Sequence, residues 1–564
     1  MTPRSLPRAP SFPRTREPNE QRPQGEPTMN RHPLPLAALL LGGLLVATGP
    51  AWASTPAANA KDAEASEQPS PANQPGHVQG LKETGNYTVT ALPEGPLHLD
   101  PPKLPDLSGY TAEAVAKKIV RKPGGKAVVQ RMVQQQPLKE FTGGQNRLAE
   151  WVKRQRQMPQ AIFIEGGYVN LAQLAGKLGK ALEQVEPGVF VARLPIVVSQ
   201  GATLEIDGKV RELRLSQDRG AFLVNDGKLF VRDTKVTAWN EARGEPAWFK
   251  SPNEFRPFLV SWGGAEAYLV NSTFTSFGYN ASKAYGISIS QYSPGMDKTM
   301  KRPRPKGWVI GSTFVDNWYG FYCYEADDLV VRGNTYRDNV IYGIDPHDRS
   351  HRLIIAENTV YGTKKKHGII VSREVNDSWI FRNKTYDNHL SGIVLDRNSE
   401  RNLVAYNEVY RNHSDGITLY ESGDNLIYGN QVLGNRRHGI RIRNSVNIRL
   451  YENLAAGNKL IGVYGHIKDL SNTDRNIDLD PFDTKVSLIV VGGKLVGNGS
   501  GPLSVDSPLS LELYKVAMLG PTKSSGISFN GVLGEKQDQI LDLLVRQQRA
   551  VLIDPVESQA ELQN

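Results

Sequence analysis

Asp345, Pro346, His347 and Asp348 stand in one run, and Arg373 follows one repeat further on. In an extended chain the side chains alternate between faces, so Asp345 and His347 project from the same side. A carboxylate there can orient the imidazole and fix its tautomer, the arrangement of a group that moves protons. Proline inside a β-coil removes a ladder donor and costs stability. Such a breach beside a histidine points to function rather than to packing. The neighbouring guanidinium is suited to hold a carboxylate through two parallel hydrogen bonds.

These residues belong to a repeat. Gly320, Gly343, Gly368, Gly392, Gly416, Gly439 and Gly462 recur at spacings of 23, 25, 24, 24, 23 and 23, each followed by Phe, Ile or Val. Gly286 starts the series, with room for a loop, Ser293 to Lys306, before Gly320. An asparagine recurs in parallel at Asn334, Asn358, Asn383, Asn407, Asn430 and Asn453. A unit this short holds two or three strands of a few residues and can bury its apolar side chains only by stacking on the next unit. The expected fold is all-β, a right-handed parallel β-helix with helical capping segments at both ends.

The register sorts the side chains. One and three residues after each glycine stand core columns, such as Ile344 and Pro346, or Phe321 and Cys323. Two and four residues after it stand outward columns: Ser288, Tyr322, Asp345, Ile370, Val394, Thr418 and Arg441, then Ser290, Tyr324, His347, Ser372, Asp396, Tyr420 and Arg443. At the corner beyond come Glu325, Asp348, Arg373, Arg397 and Glu421. Tyr342 precedes its glycine and flanks the site. Rungs about 4.8 Å apart make His347, Ser372 or Arg373, and Asp396 or Arg397 near neighbours. Tyrosine faces stack on sugar rings and arginines pair with carboxylates, so this outward face reads as an exposed groove for a charged sugar chain.

The rest of the chain bounds that reading. Residues 29–53 carry a basic start, a short apolar run and an Ala-Trp-Ala end, the pattern of a secretory signal peptide. Residues 1–28 read as an upstream extension and 54–80 as a disordered linker. Residues 81–200 read as an N-terminal cap with helical spacing at Gly109–Arg121, Arg147–Arg156 and Asn170–Leu182 and a strand at Ala161–Glu165. The solenoid occupies 201–510, and 511–564 is a C-terminal flank with an amphipathic helix at Glu535–Arg549. The formal net charge is +9, which in an exported protein favours an acidic polysaccharide over nucleic acid as partner. The one cysteine, Cys323, excludes an intrachain disulfide and points into the core.

The signal peptide, the coils and the run Tyr342-Gly343-Ile344-Asp345-Pro346-His347-Asp348-Arg349-Ser350 closely resemble the periplasmic mannuronan C5-epimerases of bacterial alginate biosynthesis. The resemblance implies conversion of β-D-mannuronate to α-L-guluronate within the polymer, in the periplasm, by a protein that spans no membrane after cleavage and belongs to a periplasmic polymerisation and export complex. It puts the base on His347 and the arginine that neutralises the uronate carboxylate on Arg373. Asp345 would orient the imidazole. Tyr342 is the nearest candidate by register for the opposite-face acid, with Tyr322, Tyr324 or a water as rivals. Tyr322, Tyr324, Asp348, Lys364, Lys365, Lys366, Asp396, Arg397 and Arg441 are candidate binders of neighbouring sugars. No cofactor or metal is expected, because arginine is already present for the work calcium does in related lyases. A polysaccharide lyase, or a scaffold that guides polymer without chemistry, remains the alternative.

Overall fold

A computed structural model describes residues 87–92, 100–132, 138–142, 147–473, 475–478, 480–520 and 532–556; the stretches expected as an upstream extension, a signal peptide and a linker lie outside them. Among the described residues the strands form three long sheets of 15, 14 and 15 strands, each neighbour one coil further along the chain. Pairing within them is parallel except at the two ends and at a short antiparallel arm, Glu245–Pro246, which is the parallel β-helix expected from the repeat. The 14-stranded sheet carries the outward columns. Seven of its strands matter here: β1 (Tyr319–Tyr324), β2 (Tyr342–His347), β3 (Ile369–Ser372), β4 (Ile393–Asp396), β5 (Ile417–Tyr420), β6 (Ile440–Arg443) and β7 (Ile461–His466).

Both core columns are buried, from Ile287 and Ile289 to Ile440 and Ile442. Cys323 lies among them, with burial pushing its thiol up to about 12. The recurring glycine exists because coils approach closely there. A Cβ on Gly343 would stand 2.6 Å from the carbonyl oxygen of Gly368, and one on Gly439 would stand 2.5 Å from that of Gly462. The asparagine column forms a buried ladder in which each amide donates to the next, Asn358 to Asn383 at 2.9 Å and Asn383 to Asn407 at 3.0 Å. A second ladder, through Asn388, Asn412, Asn435, Asn458 and Asn498, runs beside it.

The corner that follows each strand of the functional sheet has an unusual backbone. Glu325, Asp348, Arg373, Arg397, Glu421 and Asn444 all lie in the left-handed region, with φ between 39° and 61°. For residues with a side chain this costs on the order of 1–3 kcal/mol each. It is held by backbone bonds between coils, Asp348 N–H to the Ser372 carbonyl at 3.0 Å and Arg373 N–H to the Asp396 carbonyl at 3.0 Å.

The ends differ from expectation in three places. Parallel coil pairing is already present at Gln160–Glu165, upstream of residue 201. Asn170–Leu182 is not one helix but two short 3-10 turns, Leu171–Leu174 and Gly179–Ala181, broken by Gly176 and Gly179 at positive φ. The C-terminal helical stretch is split into Val532–Glu535, Gln537–Leu541 and a π-turn, Asp542–Arg546. The strand Val551–Pro555 then lies antiparallel between Ser510–Tyr514 and Tyr87–Ala91, covering the edge of that sheet with both ends of the chain.

Candidate active site

Pro346 breaks the ladder where the sequence suggests. Between β2 and β3 the register holds at Ile344–Ile369 and at His347–Ser372 and lapses between them. Neighbouring pairs, such as β3 with β4, keep four consecutive partners. The strand ends at His347, and the left-handed turn at Asp348 folds that carboxylate back onto the ring. His347 Nδ1 lies 2.6 Å from Asp348 Oδ2.

This corrects the expected role of Asp345. Its carboxyl is buried, only 2% exposed, and Oδ1 has no hydrogen-bond partner. Burial raises its pKa to about 7, with the charges of Asp348 and Asp396 adding to the effect and those of His347 and Lys366 opposing it. Burial alone would depress the imidazole, but the charge and hydrogen bond of Asp348, joined by Asp345, outweigh it and leave the His347 pKa raised. Burial opposes ionisation of Asp348 too, yet His347 and Arg373 bring its pKa down to about 2. Asp348 thus fixes the Nδ1 side of the imidazole.

Arg373 occupies the corner one rung on. Arg349 is tied to Glu325, and Arg397 to Asp396 and Asp480, whereas no ion pair engages Arg373 among the described residues. Its charge acts on both His347 and Asp348.

The first outward column is not an open groove floor. Ser288, Tyr322, Asp345, Ile370, Val394 and Thr418 are buried, because Tyr285, Trp318, Tyr322, Tyr324, Tyr342, Ile370, Val394 and Tyr420 form a second apolar cluster outside the sheet, with Phe249 packed on it. Tyr322 stands with its ring 6.0 Å from that of His347, and burial holds its hydroxyl protonated, well above the ordinary tyrosine range. Tyr342, at the other end of β2, stacks on His367 and meets Tyr319 at a tilt. One face of Tyr324 is taken by the ammonium of Lys283, 3.5 Å from the ring centre, so that face cannot stack a sugar.

Several proposed binders are committed elsewhere. Lys364 pairs with Asp316 at 2.6 Å, an aspartate that also holds the buried Arg256. Lys365 lies over Phe249, and Lys366 is buried. Arg441 is held by Asp415, Tyr420 and His466. Asp396 accepts from Ser372 at 3.4 Å. Sequence reading missed Lys283, Phe249 and the segment 467–486, whose Arg475 and Asp480 reach back over this face. The signal for that segment was present, since the asparagine spacing jumps from 23 to 40 between Asn458 and Asn498.

Among the described residues no three His, Cys, Asp or Glu side chains converge to hold a metal ion, and no helix is long and apolar enough to cross a membrane. Residues 347–478 match the family of right-handed β-helix regions, and residues 260–409 that of the periplasmic copper-binding protein NosD. The crystal structure of the periplasmic alginate epimerase AlgG shares 62% identity at a TM-score of 0.74, over 75% of this chain and 99% of that one. A mannuronan C5-epimerase of Azotobacter vinelandii is 64% identical over 84% of this chain and 91% of its own. One from Pseudomonas aeruginosa is 83% identical over 94% of this chain and 97% of its own. With that identity along nearly its whole length, and with the Asp-Pro-His-Asp run set at a coil corner, the chain belongs to the mannuronan C5-epimerase family.

Proposed function

We propose that this periplasmic isomerase inverts C5 of mannuronate residues within alginate by a His347 base, with Arg373 holding the carboxylate of the reacting sugar. The C5 proton is very weakly acidic, because its removal places a second negative charge on the carboxyl group. A guanidinium already pairing with that carboxylate stabilises the enolate-like intermediate as it forms. His347 takes the proton on Nε2, since Asp348 occupies Nδ1 and compensates the imidazolium charge. Reprotonation from the opposite face completes the inversion, and we assign that proton to Tyr342. Tyr342 stands at the opposite end of β2 from His347, which is the ground for assigning it the second proton rather than the first.

The observation that carries the reading is the combination of a His347–Asp348 pair at 2.6 Å with an arginine on the next rung that has no ion pair among the described residues. Proton NMR of treated polymannuronate tests it. Wild type should give guluronate signals without unsaturated chain ends, and His347→Ala should give neither; unsaturated ends would make the enzyme a lyase. Membership of a periplasmic polymerisation and export complex is part of the same proposal, and co-purification of the polymer-synthesising machinery with the tagged wild-type chain tests it.

A further inference from the structure

Lys283 is a buried ammonium with no part in the steps above. The residue is 7% exposed, and its Nζ lies 3.5 Å from the centre of the Tyr324 ring. Tyr324 ends β1 and pairs in register with His347, as His347 does with Ser372. Lys283 therefore sits over the rung before His347, and Arg373 at the corner of the rung after it. An ammonium has three N–H donors. Among the described residues this one makes a single hydrogen bond, to the Gln291 carbonyl at 3.5 Å, and no ion pair. The carboxylates around it are turned to other partners: Glu140 to Ser293 at 2.9 Å, Glu325 to Arg349 at 2.6 Å and Asp348 to His347 at 2.6 Å. Burial drops its pKa to about 8, against the pull of Glu140, Asp348 and Glu325 and with Arg349 adding to the fall. A charge held out of water without a counter-charge costs stability, so its retention at this place points to a ligand.

We infer that Lys283 receives the carboxylate of a uronate next to the reacting one, on the side of His347 away from Arg373. The inference deepens the proposed function and rests on its reading that Arg373 takes the carboxylate of the reacting sugar. Three features favour it. The first is chemical, since an ammonium with spare donors matches a carboxylate. The second is position, since two cations flank the imidazole one rung to either side, along the line of an extended acidic chain. The third is ease of release. A contact with a ring face and a hydrogen bond at 3.5 Å are both weak, and the four-carbon stem lets the head turn toward an incoming anion. The lysine is already out of water, so pairing asks little further desolvation of it.

The test uses the full chain and mannuronate oligomers of increasing length, with binding measured in a His347→Ala background and KM and kcat measured with His347 intact. Affinity should step up once an oligomer is long enough to reach Lys283. Lys283→Met removes the charge and should remove that step, raising KM for long oligomers about tenfold while shorter ones bind as before. The loss should fall on KM more than on kcat. A lysine with a purely structural role would instead weaken binding at every length and lower the melting temperature. The unaltered chain gives a second measurement, because oligomers whose terminal carboxyl groups are reduced to alcohols should lose the same step. Lys283→Met that binds like wild type at every length, or is weakened equally at every length, overturns the inference, as do reduced oligomers that keep the step. If Arg373→Gln is still defective in that case, only the Lys283 subsite falls. If Arg373→Gln binds and converts polymer normally, the reading of the reacting subsite falls as well.

Discussion

The middle of the sheet and its C-terminal end carry an imidazole on the same outward column, His347 and His466, each with an arginine nearby, yet they settle into opposite states. At β2 and β3, His347 has an aspartate on one ring nitrogen and a raised pKa, and Arg373 has no ion pair among the described residues. At β6 and β7, Arg441 is clamped by Asp415 and donates to His466 Nε2 at 3.1 Å. There burial lowers His438 to about 4, with Arg441 and Arg437 adding to it against Asp415. Burial, Arg441 and Arg443 likewise hold His466 well below its ordinary range. Both histidines at that end are neutral acceptors in a closed network. The core columns beneath the two regions are alike, so the fold does not choose between reactive and structural imidazoles. The neighbouring corner and outward residues do.

That contrast can be broken from the reactive side first. His347→Ala should reduce epimerisation by between about a hundredfold and ten-thousandfold, read by NMR, while polymannuronate still binds. Arg373→Gly should lose about a hundredfold or more in kcat. It should also leave thermal stability unchanged or slightly higher, because glycine adopts the left-handed corner without strain; a clear fall in melting temperature would contradict the strained corner. Asp348→Asn should cause a smaller loss and move the acidic limb of the rate profile. In wild type the rate falls as pH drops through the raised His347 pKa, where the base becomes protonated. Without Asp348 the effect of burial is left less opposed, so that limb should shift to lower pH. Tyr342→Phe should slow net inversion more than it slows exchange of the C5 hydrogen with deuterated solvent. At the far end, His466→Gln should leave kcat/KM within about twofold of wild type, as expected for a residue outside the reacting site.

The same linkage bears on stability. A raised folded pKa at His347 means that its protonated pair with Asp348 stabilises the fold fully below the ordinary histidine range, and that this contribution is lost as pH rises through the folded value. Asp345 acts in the same sense, since a carboxyl with its pKa raised to about 7 is increasingly penalised as pH climbs from about 4 to 7.

Much of this was legible before any coordinates. The glycine and asparagine periods gave the coil, and alternation placed Ile344, Pro346 and Cys323 inside and His347 outside. Strand alternation could not reveal that Asp348, rather than Asp345, meets the imidazole, because a left-handed residue abandons the alternation on which the reading depends. Nor could it show that the outward tyrosines are packed under Phe249, which comes from a distant part of the chain. The commitment of Lys364 to Asp316 was hidden for the same reason, as it joins residues 48 positions apart. Local rules find the frame; contacts between distant excursions decide what it exposes.

The left-handed corner has one more consequence. Its shape is enforced by amide bonds to the following coil, so six different positions share one bend while bearing glutamate, aspartate, arginine, arginine, glutamate and asparagine. Side-chain identity there is decoupled from architecture, as movable type is from the press. A lineage can exchange reagents along this edge by single substitutions and keep the scaffold intact, which gives a solenoid enzyme a short evolutionary path between epimerisation, elimination and simple binding of the same acidic polymer.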